Sequence, residues 1–219
     1  MVPAGNLGRV PDGMSWPQAA GFTLSTLTAW RMLTGRARLQ SGETVLIWGV
    51  GGGVGMAALQ IAVLLGARVI VTSGSDAKLA TAAGLGAAVA VNHKSGDVVG
   101  AVRKETGGRG ADVVVDCVGE ATWTNSLRAL RRGGRLVVCG ATTGPAVSFD
   151  LRRLFWHQWS ILGSTMGNRR EFAEIVRLAQ EGKLWPVVDS VMPLADGAAA
   201  YERMQRGEHT GKLVIEVSP

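Results

Sequence analysis

The residues best suited to chemistry form a glycine-rich stretch, Leu46-Ile47-Trp48-Gly49-Val50-Gly51-Gly52-Gly53-Val54-Gly55. An apolar run ends at Gly49 and a helical pattern starts near Gly53. Residues without a Cβ let the main chain approach a bulky anion closely. The free N–H groups at the helix start and the positive end of its dipole then hold that anion. Counted back from Gly55, the glycines fall at 49, 52 and 55, a G-x-x-G-x-x-G spacing. Val50 stands where the first glycine of G-x-G-x-x-G is usual. Such a triplet alone is a weak signal, but in the first strand–helix turn of a βαβ unit it points strongly to a dinucleotide diphosphate.

The next apolar run closes at Val71-Thr72-Ser73-Gly74-Ser75. Chains of this kind that bind NAD usually place a carboxylate there, on the ribose 2′-OH. This chain places Ser73. Ser73 and Ser75 supply hydroxyls, and Lys78 follows one helical turn on, a set that suits a 2′-phosphate. The expected cofactor is therefore NADP(H). Asp76 leaves two readings open: a partner for the dipole of the next helix, or a ribose contact.

These positions need a scaffold, and the patterning supplies one. Strands are expected at Thr44 to Gly49, Arg68 to Thr72, Ala88 to Asn92, Asp112 to Asp116 and Arg135 to Gly140. Helices are expected between them, at Val54 to Leu65, Asp76 to Ala83, Asp97 to Glu105 and Thr122 to Arg131. Runs such as Val113-Val114-Val115 are continuously apolar, which marks strands buried on both faces. Strand–helix alternation with short links implies right-handed crossovers and a Rossmann-type α/β fold: a doubly wound parallel sheet with helices on both faces.

Upstream, Met1 to Gly13 reads as a linker, and Ser15 with Gln18 fits a capping box that opens a helix running to Trp30. Downstream the rhythm changes. A basic segment, Asp150 to Arg153, precedes an extended run at Trp159 to Gly163. Then come a helix (Arg170 to Glu181), a strand (Val187 to Val191), a helix (Leu194 to Gln205) and a last strand (Lys212 to Val217). The organisation expected is a linker with entry helices over 1–40, a dinucleotide-binding domain over 41–165, and C-terminal elements over 166–219 that complete or leave it.

With 47% hydrophobic and 18% charged residues in 219, the chain can bury one sizeable core. The net charge of +6 reads as a basic surface. The Arg and Lys residues are scattered without interleaved aromatics, so no nucleic-acid partner is expected. The apolar stretch Val54 to Leu65 is too short to span a bilayer, so no membrane partner is expected either. Cys117 and Cys139 form no disulfide framework or zinc pattern, and read as buried small residues of a reduced, cytoplasmic protein.

Taken together, several segments carry a resemblance: Pro11-Asp12-Gly13-Met14-Ser15 followed by Ala19-Ala20, Leu27-Thr28-Ala29-Trp30, the glycine stretch, Gly107 to Asp112, Leu130 to Leu136, and Gly211-Lys212-Leu213-Val214. The chain resembles the medium-chain dehydrogenase/reductase superfamily, in its quinone-oxidoreductase-like and zinc-type alcohol-dehydrogenase-like branches. The resemblance implies that Gly52, Gly53 and Val54 line the pyrophosphate, and that Gly74 and Lys78 hold the adenosine ribose and its phosphate. It implies that His93 lies near that phosphate, against the alternative of a surface histidine. It places Cys117 and Val118 beside the adenine, and Cys139, Gly140 and Ala141 on the nicotinamide side. Thr28 matches a threonine near the nicotinamide, against the alternative of a helix-interior threonine.

The same resemblance implies hydride transfer between NADP(H) and a quinone, enone, aldehyde or alcohol, and a homodimer paired through the edge strand at 159–165. Relatives carry their catalytic groups, and zinc ligands where present, in an N-terminal barrel-like domain that this chain almost entirely lacks. Catalytic residues are therefore not assignable here. His93, His157 and His209 are widely spaced, and neither cysteine joins them in a ligand motif, so no zinc is expected. A non-catalytic NADP(H)-binding or dimerisation module stands as the alternative.

Overall fold

The computed structural model describes residues 2–217. The chain enters through helix α1 (Trp16–Trp30), opened by the expected capping box: the Ser15 hydroxyl accepts from the Gln18 N–H, and the Gln18 side chain accepts from the Ser15 N–H. A π-helical turn, Arg31–Arg36, leads to β1 (Thr44–Ile47). There follow α2 (Gly53–Leu64), β2 (Arg68–Ser73), α3 (Asp76–Gly84), β3 (Val89–Asn92), α4 (Val98–Glu105), β4 (Ala111–Asp116), α5 (Glu120–Ala129) and β5 (Leu130–Val138). The chain closes with α6 (Leu151–His157), β6 (Ser160–Gly163), α7 (Arg169–Gln180), β7 (Val188–Pro193), α8 (Gly197–Gln205) and β8 (Lys212–Glu216).

The first six strands form one parallel sheet in the order β3-β2-β1-β4-β5-β6. This is a Rossmann sheet, with its order reversing between β1 and β4. Strand alternation divides the core. Val45, Ile47, Val69, Val71, Val113, Val115 and Val137 pack toward α1, α2, α3 and α7. Leu46, Trp48, Ile70, Val114 and Leu136 pack toward α4 and α5. Both faces are thus covered, which explains the unbroken apolar runs. Each wholly buried valine contributes roughly 1.5–3 kcal/mol.

Several boundaries differ from the sequence expectation. β1 ends at Ile47 because the main chain turns at Gly49, whose φ is +67°. α5 starts at Glu120 and gives way at Leu130 directly to β5, which begins five residues before Arg135 and carries a register shift against β4. The basic segment at Asp150 opens α6, where the Asp150 carboxylate accepts from the Arg152 N–H at 2.9 Å. The helix expected from Leu194 begins as a 3-10 turn, Leu194–Asp196. The last strand is not left without a partner: β8 pairs in parallel with β7. This small sheet is tied to the glycine stretch by a bridge between Gly52 and Gly211, with the Gly211 N–H donating to the Gly51 carbonyl at 2.8 Å.

Candidate functional site

The carboxyl ends of a parallel sheet are where helix N-termini gather, and the order reversal between β1 and β4 opens a crevice there. α2 begins at this crevice. Its first helical bond is Met56 N–H to the Gly52 carbonyl, 3.0 Å. Helix geometry leaves the Gly53, Val54 and Gly55 N–H groups without partners in the helix. Gly52 is the cap residue and supplies no side chain to them. α3, which follows β2, also starts without a side-chain cap, whereas the first amides of α5 donate to the Gly144 carbonyl and the Thr143 hydroxyl. By contrast α4, α6 and α7 are capped by Asp97, Asp150 and Asn168.

The glycines do separate jobs. A Cβ on Gly55 would sit 2.8 Å from the Gly49 carbonyl oxygen and the Val50 Cα, so this position lets α2 close onto the turn. A Cβ on Gly52 would meet nothing within 4 Å. Open space in front of uncapped amides is what a diphosphate requires, and the residues present therefore fit a dinucleotide.

The other expected residues fall around this point. Ser73 is buried at the end of β2, its hydroxyl accepting from the Ser75 N–H at 3.2 Å. Ser75 is the cap residue of α3, and Gly74 lies between them with Lys94 and His93 against it. Asp76 accepts from the Asn92 side chain at 2.8 Å, which ties its carboxylate to the end of β3. Lys78 lies across Gly51, and its ammonium donates to the Gly207 carbonyl at 2.5 Å. Burial pushes its pKa down, with Asp189 pulling the other way.

His93 is exposed, 6.5 Å from the Trp48 ring, and its pKa is lowered by burial of the ring atoms and by Lys94. The two rings border a cleft of about 330 Å³, lined also by Val118, Thr122, Asn125 and Thr143. Its walls are formed by the turns after β1, β3, β4 and β5 and by the first turns of α5. Trp48, Asn125 and Thr143 went unnoticed in the sequence. Trp48 read as an ordinary residue of the first strand, and the other two carry no motif.

Asp116 was also missed. It is buried at the end of β4 and accepts from the Val118 and Gly119 N–H groups and from the Thr122 and Ser126 hydroxyls. The signal was available, because an acid closing an apolar strand must find donors. Asp116 fixes the turn that carries Cys117 and Val118. The turn after β5 is bound to it, since the Thr143 N–H and hydroxyl both donate to the Val118 carbonyl, at 2.9 and 2.8 Å.

Gly140 and Ala141 are exposed in that second turn. Cys117 and Cys139 are half-buried rather than buried, and their sulfurs lie 3.3 Å apart. Thr28 is buried in α1, which packs on α2, α7, β7 and β8 and sets Ser25 against Gly53 of the glycine turn. The Thr28 hydroxyl donates to the Leu24 carbonyl at 2.8 Å, as in a helix-interior threonine. Among the described residues, no three His, Cys, Asp or Glu side chains converge as metal ligands. This donor set does not compose a catalytic zinc site.

Comparison with known proteins gives a consistent placement. The family model described as zinc-binding dehydrogenase matches residues 53–181, more than half of the chain. Crotonyl-CoA carboxylase/reductase of Cereibacter sphaeroides is 32% identical, over 99% of this chain and 56% of its own length. Among solved structures, an NAD-dependent alcohol dehydrogenase superposes with a TM-score of 0.94 at 40% identity, over 99% of this chain and 63% of that one. A 2-octenoyl-CoA carboxylase reductase in complex with NADP and 2-octenoyl-CoA gives a TM-score of 0.88 at 31% identity, over 97% of this chain and 52% of that one. The chain thus spans between about half and two thirds of the length of these relatives. On its glycine turn, its strand order and these matches, the chain belongs to the zinc-binding dehydrogenase family, as a cofactor-domain member of the medium-chain dehydrogenase/reductase superfamily.

Proposed function

We propose that this chain binds NADP(H) along the carboxyl edge of its sheet and serves as the cofactor domain of an oxidoreductase. One observation carries the reading: the uncapped start of α2 facing open space at Gly52. The diphosphate rests on the Gly53, Val54 and Gly55 amides. The adenine enters the cleft between Trp48, His93 and Val118. Cys117 lies with Val118 beside the adenine, and the turn at Cys139, Gly140 and Ala141 flanks the nicotinamide half. The cofactor, when bound, supplies the hydride, passed to or from a carbonyl, enone or quinone carbon. The chain's own groups bind and orient it.

The relatives include both an NAD-dependent enzyme and an NADP complex, so the choice between cofactors rests on the end of β2. There Ser73 stands in place of an acid, Asp76 is engaged by Asn92, and Lys78 reaches across the glycine turn. Binding of a 2′-phosphate exchanges the Gly207 carbonyl for a charge-assisted partner of Lys78. Calorimetric titration of the full chain with NADPH and NADH tests this. NADPH binds at least tenfold tighter, and Lys78→Ala removes about tenfold of NADPH affinity while leaving NADH within twofold. Equal affinities in the unaltered chain refute the NADP assignment.

Oxidation of NADPH with a panel of quinones and enoyl thioesters separates a catalytic chain from a binding module. The open edge of β6, where Ile161 is partly exposed, supports a homodimer paired through this strand. Light scattering reads the mass, and Ile161→Lys converts the dimer to a monomer; a monomeric unaltered chain at micromolar concentration contradicts the pairing.

A further inference from the structure

Cys117 and Cys139 follow β4 and β5, which are neighbours in the sheet. The last paired residues are Asp116 and Val138, so the register sets the two cysteines opposite each other. The Cys139 N–H still donates to the Asp116 carbonyl, at 3.3 Å, which carries the pairing one residue beyond the strands. Adjacent strands lie about 4.8 Å apart. That spacing falls within the Cα separation of about 4.4–6.8 Å that a disulfide spans. Both side chains leave the same face of the sheet, the one packed toward α2, and their sulfurs are already 3.3 Å apart. Neither residue is fully buried.

We propose that Cys117 and Cys139 are a reversible two-electron redox site, closed by hydrogen peroxide to an intramolecular disulfide across the ends of β4 and β5. The contact between the two sulfurs prepares the pair. The hydrogen bond from the Cys117 thiol draws the Cys139 pKa down, and the same bond, with burial, pushes Cys117 up. Cys139, whose thiolate is the one favoured, is therefore the attacking sulfur.

The Cys139 thiolate takes one oxygen of the peroxide, the O–O bond breaks, and the sulfur becomes a sulfenic acid with release of hydroxide. The Cys117 sulfur then attacks the Cys139 sulfur, the S–O bond breaks, and hydroxide leaves. The protons of the two thiols convert both hydroxides to water. In sum two thiols lose two electrons and two protons, and one peroxide becomes two waters. A dithiol reductant reverses the change by thiol–disulfide exchange.

The site is independent of the cofactor reading, and its test reads sulfur rather than dinucleotide binding. The full chain is treated with a few equivalents of peroxide, then alkylated with iodoacetamide and weighed by mass spectrometry. Alkylation falls from two sites to none, the protein mass falls by two hydrogens, and dithiothreitol restores both sites. In Cys117→Ser the loss of two hydrogens disappears, and Cys139 is trapped by dimedone as its sulfenic acid. Two alkylated cysteines after peroxide overturn the proposal, as does a disulfide found only between separate chains on a non-reducing gel.

Discussion

The two edges of the six-stranded sheet are built on opposite terms. At the carboxyl edge, α2 and α3 begin without side-chain caps, and the start of α2 faces open space at Gly52. At the amino edge, charged groups are paired off. Asp112, at the start of β4, accepts from both Arg109 guanidinium nitrogens at 2.8 and 3.0 Å, from Arg131 and from the Thr44 N–H at 2.8 Å. Glu43, just before β1, pairs with Arg135 of β5, which also donates to the Ala37 carbonyl at 2.7 Å. One edge uses most of its hydrogen-bonding capacity inside the chain and holds β1, β4 and β5 together. The other keeps that capacity available for a ligand. Perturbing each edge should therefore change a different observable.

The largest expected effect lies at the closed edge. Asp112→Ala leaves two guanidiniums and the Thr44 amide without their acceptor, and costs about 3 kcal/mol of unfolding free energy in urea. NADPH affinity of the folded protein stays within twofold. A variant that keeps its stability but loses NADPH would break the division between the edges.

Acid titration comes next. Burial disfavours the charged Asp112, but the Arg109, Thr44 and Arg131 hydrogen bonds outweigh it and hold its pKa down to about 2. The unfolded carboxyl titrates near 3.9. The folded value lies below the unfolded one, so the contribution is complete above about pH 4 and is lost as pH falls toward about 2. Unfolding monitored across that window should show about 2 kcal/mol less dependence on pH in Asp112→Asn than in the unaltered chain.

A smaller effect sharpens the comparison. Arg109 is half-exposed, with 51% of its side chain accessible. Arg109→Ala is expected to cost about 1 kcal/mol, since Arg131 and Thr44 still hold the carboxylate. A cost equal to that of Asp112→Ala would show that the network depends on this one pair.

Much of this scaffold could be read from the residues. Apolar runs such as Val113 to Val115 located β4, because a strand covered on both faces has no polar side to show. Ser15 and Gln18 announced α1 through a local capping box. α6 escaped notice because Leu151, Phe155 and Trp156 remain exposed, so no buried stripe marks the helix. The pairing of β7 with β8 depends on a contact between distant segments, which neither strand records. The glycine turn was legible because its chemistry is local, carried by residue types within ten positions. Lys78 against Gly207, and Cys117 against Cys139, became visible only once the folded chain brought distant segments together.

The central claim is that the open start of α2 grips a diphosphate, and Gly52→Asp tests it most directly. The φ of −90° and ψ of 167° at Gly52 suit any residue, and a Cβ there meets no atom within 4 Å, so the fold should be preserved. An aspartate at this cap position stabilises the helix start by a few tenths of a kcal/mol relative to glycine. It also sets a negative charge where the diphosphate would lie. Calorimetry should show NADPH affinity falling at least a hundredfold with the melting temperature unchanged or slightly raised. Undiminished NADPH binding in a folded Gly52→Asp protein would contradict the account.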